Sequence, residues 1–220
     1  MGRFKYICSI VLIISVPIML ITLSLNIVFR LPDGYLFYFN DSQVLDKLYT
    51  SLTNSEMASA IAEFMNKINP SEFQVEEFTG YDKLGIFDAG DSYNMLIMKR
   101  MLDISAVLCI VTFILAVGIY IYYIKNDNKK ILRNGFKISM GVTSVLFVVQ
   151  IMVFSVTGMR EAFFRLIGLK SLPDTSKLMV IMGDDFWSVI SVFLAIVTII
   201  VILLAVYIHY RFTKPPRIFY

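Results

Sequence analysis

The chain has 220 residues, 57% of them hydrophobic and only 17% charged, with a mean hydropathy of +0.72. That excludes an ordinary soluble domain, in which charged residues make up about a quarter of the chain. The formal net charge of +3 does not point to nucleic acid, because the cations flank apolar runs and the segment 30–100 is acidic.

A membrane span needs about 20 consecutive apolar residues, and four stretches qualify: 7–29, 104–124, 138–157 and 186–207. The expected architecture is an all-α integral membrane protein, a single membrane domain of four transmembrane helices. A small extracytoplasmic α(+β) module, residues 30–100, lies between helices 1 and 2. The first run opens with Arg3 and Lys5, as a signal peptide does. Its apolar stretch is longer than the roughly 7–15 residues of a typical signal core, so a retained span is expected.

Cationic short loops stay in the cytoplasm. Lys125, Lys129, Lys130, Arg133 and Lys137 lie between spans 2 and 3, and His209, Arg211, Lys214 and Arg217 follow span 4. With Arg3 and Lys5 these place both termini inside, and segments 30–100 and 158–185 outside. The "KPPR" tail reads as a short basic extension at the anionic inner leaflet. Cys8 and Cys109 fall within spans, so no disulfide framework is expected for the outer module.

In chain order the module begins with a Pro32-Asp33-Gly34 turn and the aromatic cluster "YLFYFN", read as an interfacial aromatic belt. "TNSEMASAIAEFMNKINP" predicts a helix: Thr53 and Glu56 have capping-box spacing, and Met57, Ile61, Phe64, Met65 and Ile68 form an apolar face that Asn69-Pro70 ends. "EFQVEEFTG" has strand character up to Gly80, with Phe73 and Val75 on one side, and supports one strand at most. A module of about 70 residues is small for a self-sufficient core and is expected to lean on the helices.

Chemistry narrows by elimination. No metal-ligand spacing, glycine-rich phosphate loop or nucleophile elbow is present, and no cofactor is expected. The spans hold few polar groups, which argues against an ion relay. Gln150 reads as an interhelical hydrogen-bonding residue, and His209 as an interfacial anchor.

The remaining polar residues gather at the outer ends of spans. Asp88, Asp91, Tyr93, Asn94, Lys99, Arg100 and Asp103 lead into span 2. Arg160, Glu161 and Arg165 follow span 3, and Asp174, Asp184 and Asp185 precede span 4. Outer cations can clasp a lipid phosphate or a carboxylate. The plainer reading is snorkelling plus a Lys99–Asp103 pair at i, i+4.

The order of "VFRLPDGYLFYFN", "SEMASAIAEFM", "GIFDAGDSYNMLIMKRML" and "SLPDTSKLMVIMGDDFW" resembles a family of four-span bacterial membrane proteins that includes the lipoprotein intramolecular transacylases. The resemblance implies a protein of the bacterial cytoplasmic membrane acting on lipoprotein or phospholipid acyl groups at the outer leaflet. Family members of that type move an acyl chain of a diacylglyceryl lipoprotein onto its own N-terminal amine, work attributed to outer-face histidines.

The family pattern entering span 2 runs approximately Ser-His-Met-x-Asp-Val-Lys. Aligned on Lys99, it puts Asn94 at the histidine and Ile97 at the aspartate, while Met95 matches. "AFFRLIGL", where a second family histidine falls, has none.

Two readings follow. In an acyltransferase, Asp88, Asp91 or Asp185 supplies the base, Asn94 and Tyr93 orient the carbonyl, and Arg100 or Arg165 holds a headgroup, with Lys99 at the same rim. In a non-catalytic protein, the same rim and the aromatic cluster bind a membrane lipid, a diacylglyceryl lipoprotein or a membrane partner. The oligomeric state is not encoded legibly.

Overall fold

The computed structural model describes residues 2–48, 50–79, 82–173 and 175–214. Four helices are long and apolar enough to cross a bilayer: α1 (Gly2–Arg30), α4 (Ala89–Lys125), α5 (Lys129–Ser155) and α8 (Asp184–Thr213). The chain is a multi-pass membrane protein. The shorter helices are α2 (Asp33–Ser42), α3 (Asn54–Asn66), α6 (Thr157–Ile167) and α7 (Lys177–Ile181), with a 3-10 turn at Val44–Leu48. At 1.5 Å per residue, the 37 residues of α4 extend about 55 Å, well beyond a hydrocarbon core of about 30 Å. The stretch that carries Lys99, Arg100 and Asp103 is therefore a continuation of the span helix rather than a loop.

The chain forms two compact units. One comprises Met1–Ser24, Ser105–Gln150 and Ala195–Tyr220. Here the Tyr123 hydroxyl donates to the Lys5 carbonyl at 2.6 Å, and Lys5 Nζ donates to Asn128 Oδ1 at 3.1 Å. These bonds tie the start of α1 to the α4–α5 turn. A Cβ added at Gly135 would meet Leu12 and Ser9 of α1 at 3.3 Å, so α5 approaches α1 closely there. His209 is more than an anchor: its ring stacks on Phe136 at 3.9 Å, and Nδ1 shares a 2.7 Å hydrogen bond with the Tyr120 hydroxyl. Gln150 corrects its expectation, since it is buried and neither side-chain amide atom meets a hydrogen-bond partner among the described residues.

The other unit comprises Leu25–Ile104 and Ile151–Leu194 and contains the small module. The capping box forms as its spacing predicts: the Thr53 backbone N–H donates to Glu56 Oε2 at 2.8 Å, and the Glu56 N–H to Thr53 Oγ1 at 3.3 Å. Met57, Ile61, Phe64 and Met65 are buried, but Ile68 is 89% exposed. The helix ends at Asn66, so Ile68 is no longer on the helical face.

The aromatic cluster also departs from expectation. Pro32 caps α2 instead of opening a turn, a position where its missing N–H costs nothing. Tyr35, Tyr38 and Phe39 are buried, while Phe37 is exposed. Tyr35 stacks on Phe186 and donates its hydroxyl to the Phe29 carbonyl at 3.0 Å. These rings are module core rather than an interfacial belt.

The single expected strand is a hairpin, β1 (Glu76–Thr79) paired antiparallel with β2 (Asp82–Gly85). β2 was not legible because "DKLG" has no alternating apolar pattern. Gly80 lies outside the described residues, as do Asp174 and all of "KPPR" after Lys214. The expected third span, 138–157, overlaps the end of one helix and the start of the next. α5 stops at Ser155, Val156 takes extended geometry, and α6 begins anew at Thr157.

Candidate functional site

α6 is closed by Gly168, whose φ of +89° is a conformation that costs a Cβ-bearing residue energy. The Gly168 N–H reaches Arg165 O at 3.2 Å and the Leu169 N–H reaches Phe164 O at 3.0 Å. The chain then turns back toward the start of α4. There Asn94, buried, holds the next residue at both backbone groups: its Nδ2 donates to Lys170 O at 2.8 Å, and the Lys170 N–H donates to its Oδ1 at 2.9 Å. The Lys170 ammonium lies 4.2 Å from the centre of the Tyr93 ring, a cation–π contact.

This clasp borders a cavity of about 450 Å³, within the range typical of small-molecule sites. Met98 of α4, Phe164 of α6, Leu178 of α7 and Trp187 of α8 supply much of its apolar lining, while Arg160, Glu161, Arg165, Lys170 and Asp184 supply charge. Three cations against two acids leave one net positive charge.

The charged groups differ in how firmly they are held. Arg160 is buried and ion-paired with Asp184, and its other contacts are to Phe154 O at 3.1 Å and Thr157 Oγ1 at 3.4 Å. It thereby caps a carbonyl freed where α5 breaks. Arg165 and Glu161 form an exposed i, i+4 pair at 3.3 Å.

The expected site residues separate into distinct places. Asn94 and Arg165 line the cavity, and Tyr93 reaches it only through Lys170. Asp91 is buried but does not line it. Its carboxylate accepts from the Ser176 hydroxyl and, at 3.4 Å, from the Asp88 N–H, while Asp88 Oδ1 accepts from the Asp91 N–H at 2.8 Å. This is a reciprocal cap on α4 with an added tie to the start of α7. Asp184, not its exposed neighbour Asp185, borders the cavity. Arg100 is exposed on α4 away from the lining.

Lys99 belongs to a second cluster. Its Nζ meets Asp103 Oδ2 at 2.8 Å, the i, i+4 pair its spacing predicts, and Met65 O at 3.5 Å. Arg30, at the end of α1, joins through Asp103 Oδ1 at 2.7 Å, Met65 O at 2.6 Å and Asn26 Oδ1 at 2.9 Å. Two cations thus share one carboxylate and meet at one carbonyl in the last turn of α3, Met65 O. Among the described residues no group of three or more His, Cys, Asp or Glu side chains is arranged to hold a metal ion.

No family model matches the sequence, and no curated protein does. Solved structures do. The membrane-integral lipoprotein intramolecular transacylase Lit from Bacillus cereus superposes with a TM-score of 0.69 at 15% identity, covering 96% of this chain and 98% of that one. Two variants of the same protein, with a histidine replaced by alanine or by arginine, give TM-scores of 0.66 and 0.64 at 15% and 16% identity. The similarity establishes a shared fold along nearly the whole chain. The lone histidine here, His209, belongs to the unit that does not contain the cavity.

Proposed function

We propose that this chain is a bacterial membrane protein that binds the acylated glycerol part of a phospholipid or a lipid-modified protein in the cavity between α4, α6 and α8. The observation that carries the reading is the lining: apolar side chains for acyl chains beside cations for a polar head. The positive-inside argument puts the cavity on the outer side, with both termini cytoplasmic.

The cavity's acids do not look like a general base. The side chains of Glu161 and Asp184 are 56% and 71% exposed, so neither is a desolvated carboxylate of the kind that serves as a base, and Asn94 carries an amide with no useful basicity. The reading is therefore of binding without acyl transfer. The transacylase fold favours a second reading, in which an ester lipid bound here donates an acyl chain to a protein N-terminus.

Native mass spectrometry of the detergent-purified protein tests occupancy. Wild type is expected to retain lipid adducts. Met179→Trp, at a half-exposed lining position, is expected to lose them with an unchanged melting temperature. Adducts that survive in this variant would remove the cavity from the account. Mass spectrometry of N-terminal lipopeptides, from a strain lacking its own lipoprotein N-acylating enzymes, separates the two readings. Unchanged diacylglyceryl peptides are expected on expression of this protein, and an N-acyl, lyso-glyceryl cysteine would establish transfer instead.

A further inference from the structure

We infer that the cavity selects an anionic phosphodiester headgroup, with Lys170 and Arg165 as the two groups that contact the phosphate; this rests on the lipid-binding reading above.

Lys170 is well prepared for such a role. Two consecutive residues of α4 fix it: Asn94 grips its backbone from both sides, and the face of Tyr93 holds its ammonium. The two Asn94 bonds order the backbone of this short connection, and the Tyr93 contact restrains the side chain, which reduces the entropy that a flexible lysine otherwise loses on meeting a ligand. Lys170 has no carboxylate partner among the described residues, so its charge is offset only by the Tyr93 ring.

Arg165 belongs to the same lining and, among the described residues, is held by Glu161 in an exposed pair. Pairs of that kind contribute a few tenths of a kcal/mol, so a phosphate can displace the glutamate easily. The guanidinium then offers a planar fork suited to two phosphate oxygens. Arg160 plays a different part. Its donors are already turned to Asp184, Thr157 and the Phe154 carbonyl, and it contributes fixed positive charge to the wall. One net positive charge suits a ligand of one negative charge. A diester phosphate has that charge, whereas diacylglycerol has none and a zwitterionic headgroup brings a cation toward three others.

The test uses the full-length protein in detergent and three probes with the same acyl chains: dioleoyl phosphatidylglycerol, dioleoyl phosphatidylcholine and dioleoylglycerol. Titration by native mass spectrometry is expected to show phosphatidylglycerol preferred about tenfold over dioleoylglycerol. Lys170→Gln and Arg165→Gln are each expected to shrink that ratio several-fold and leave dioleoylglycerol affinity unchanged. Tyr93→Leu is expected to shrink it too, and Tyr93→Phe to restore it, because Phe keeps the ring face.

Equal binding of all three probes would overturn the headgroup assignment and leave lipid binding intact. Failure of all three to bind would overturn the lipid reading itself. Competition by millimolar glycerol 1-phosphate as strong as that of the lipid would make this a soluble-phosphate site, and would also overturn the proposal.

Discussion

Replacing Asp103 with asparagine removes one negative charge and keeps the side chain's shape. Lys99 is 3% exposed and Arg30 22%, while Asp103 is 47% exposed. Without the carboxylate, the buried ammonium has no anionic partner and shares the one remaining amide oxygen with Arg30, besides the 3.5 Å contact to Met65 O. Breaking a fully buried ion pair from one side costs about 3–5 kcal/mol, and an exposed pair well under 1. Asp103 is half in solvent, so the expected loss lies between, at about 2 kcal/mol.

Lys99→Met removes a cation instead. It leaves Arg30 paired with Asp103 and fills the same space with apolar atoms, so its cost is expected below about 1 kcal/mol. Thermal unfolding in detergent, followed by the fluorescence of the lone Trp187, reads both variants. Asp103→Asn is expected to lower the midpoint by several degrees, on the order of 4–8 °C for this chain length, and Lys99→Met by much less. If Lys99→Met proves as damaging as Asp103→Asn, the carboxylate is not what keeps the two cations buried, and the reasoning fails.

Two further outcomes are expected from the same melting assay. The backbone N–H and hydroxyl of Thr53 hold the Glu56 carboxyl below the usual carboxylate range, and the Ser51 backbone N–H does the same for Glu77. A lowered folded-state pKa contributes stability that is complete above the unfolded value, near 4.3, and is lost as pH falls through the folded one. The melting temperature should therefore decline below about pH 4.5, and a Glu56→Gln, Glu77→Gln double variant should show a flatter curve; equal slopes would contradict the assignment. Gln150→Met replaces a buried amide lacking a partner with an apolar chain of similar volume, and is expected to stabilise by about 1–3 kcal/mol. A fall in melting temperature would show that the amide is hydrogen-bonded in the membrane.

Local signals were the ones legible in the sequence. The four spans follow from apolar length, the α3 cap from Thr53 and Glu56 three residues apart, and the Lys99–Asp103 pair from helical spacing. Each depends only on neighbours within a turn or two. The misreadings arise where the third dimension decides. An aromatic run beside a span has the same composition whether it faces lipid headgroups or a protein core, and Tyr35 and Phe39 belong to the core. The role of Arg30 is not legible locally because its partner lies 73 residues away, nor is that of Lys170, whose grip by Asn94 spans 76. The expected single rim of outer charges is two structures, since adjacent residues of a helix point about 100° apart. Asn94 and Met98 turn to the cavity while Lys99 and Asp103 turn to α3.

The chemistry of position 94 links these observations. By resemblance it falls where the family carries a histidine, yet here its side chain is committed to the backbone of Lys170 at both its donor and its acceptor. An amide can do this because oxygen and nitrogen sit on one carbon and face the same side. The two nitrogens of an imidazole diverge around the ring and cannot bracket one residue's N–H and C=O in that way. A side chain that makes this clasp is therefore not a free base, and a histidine here could not make the clasp. The clasp of Asn94 fixes a cation on the cavity wall. A fixed cation beside apolar lining suits recognition of an anionic headgroup, whereas attack on an ester needs a proton acceptor, which the committed amide of Asn94 is not.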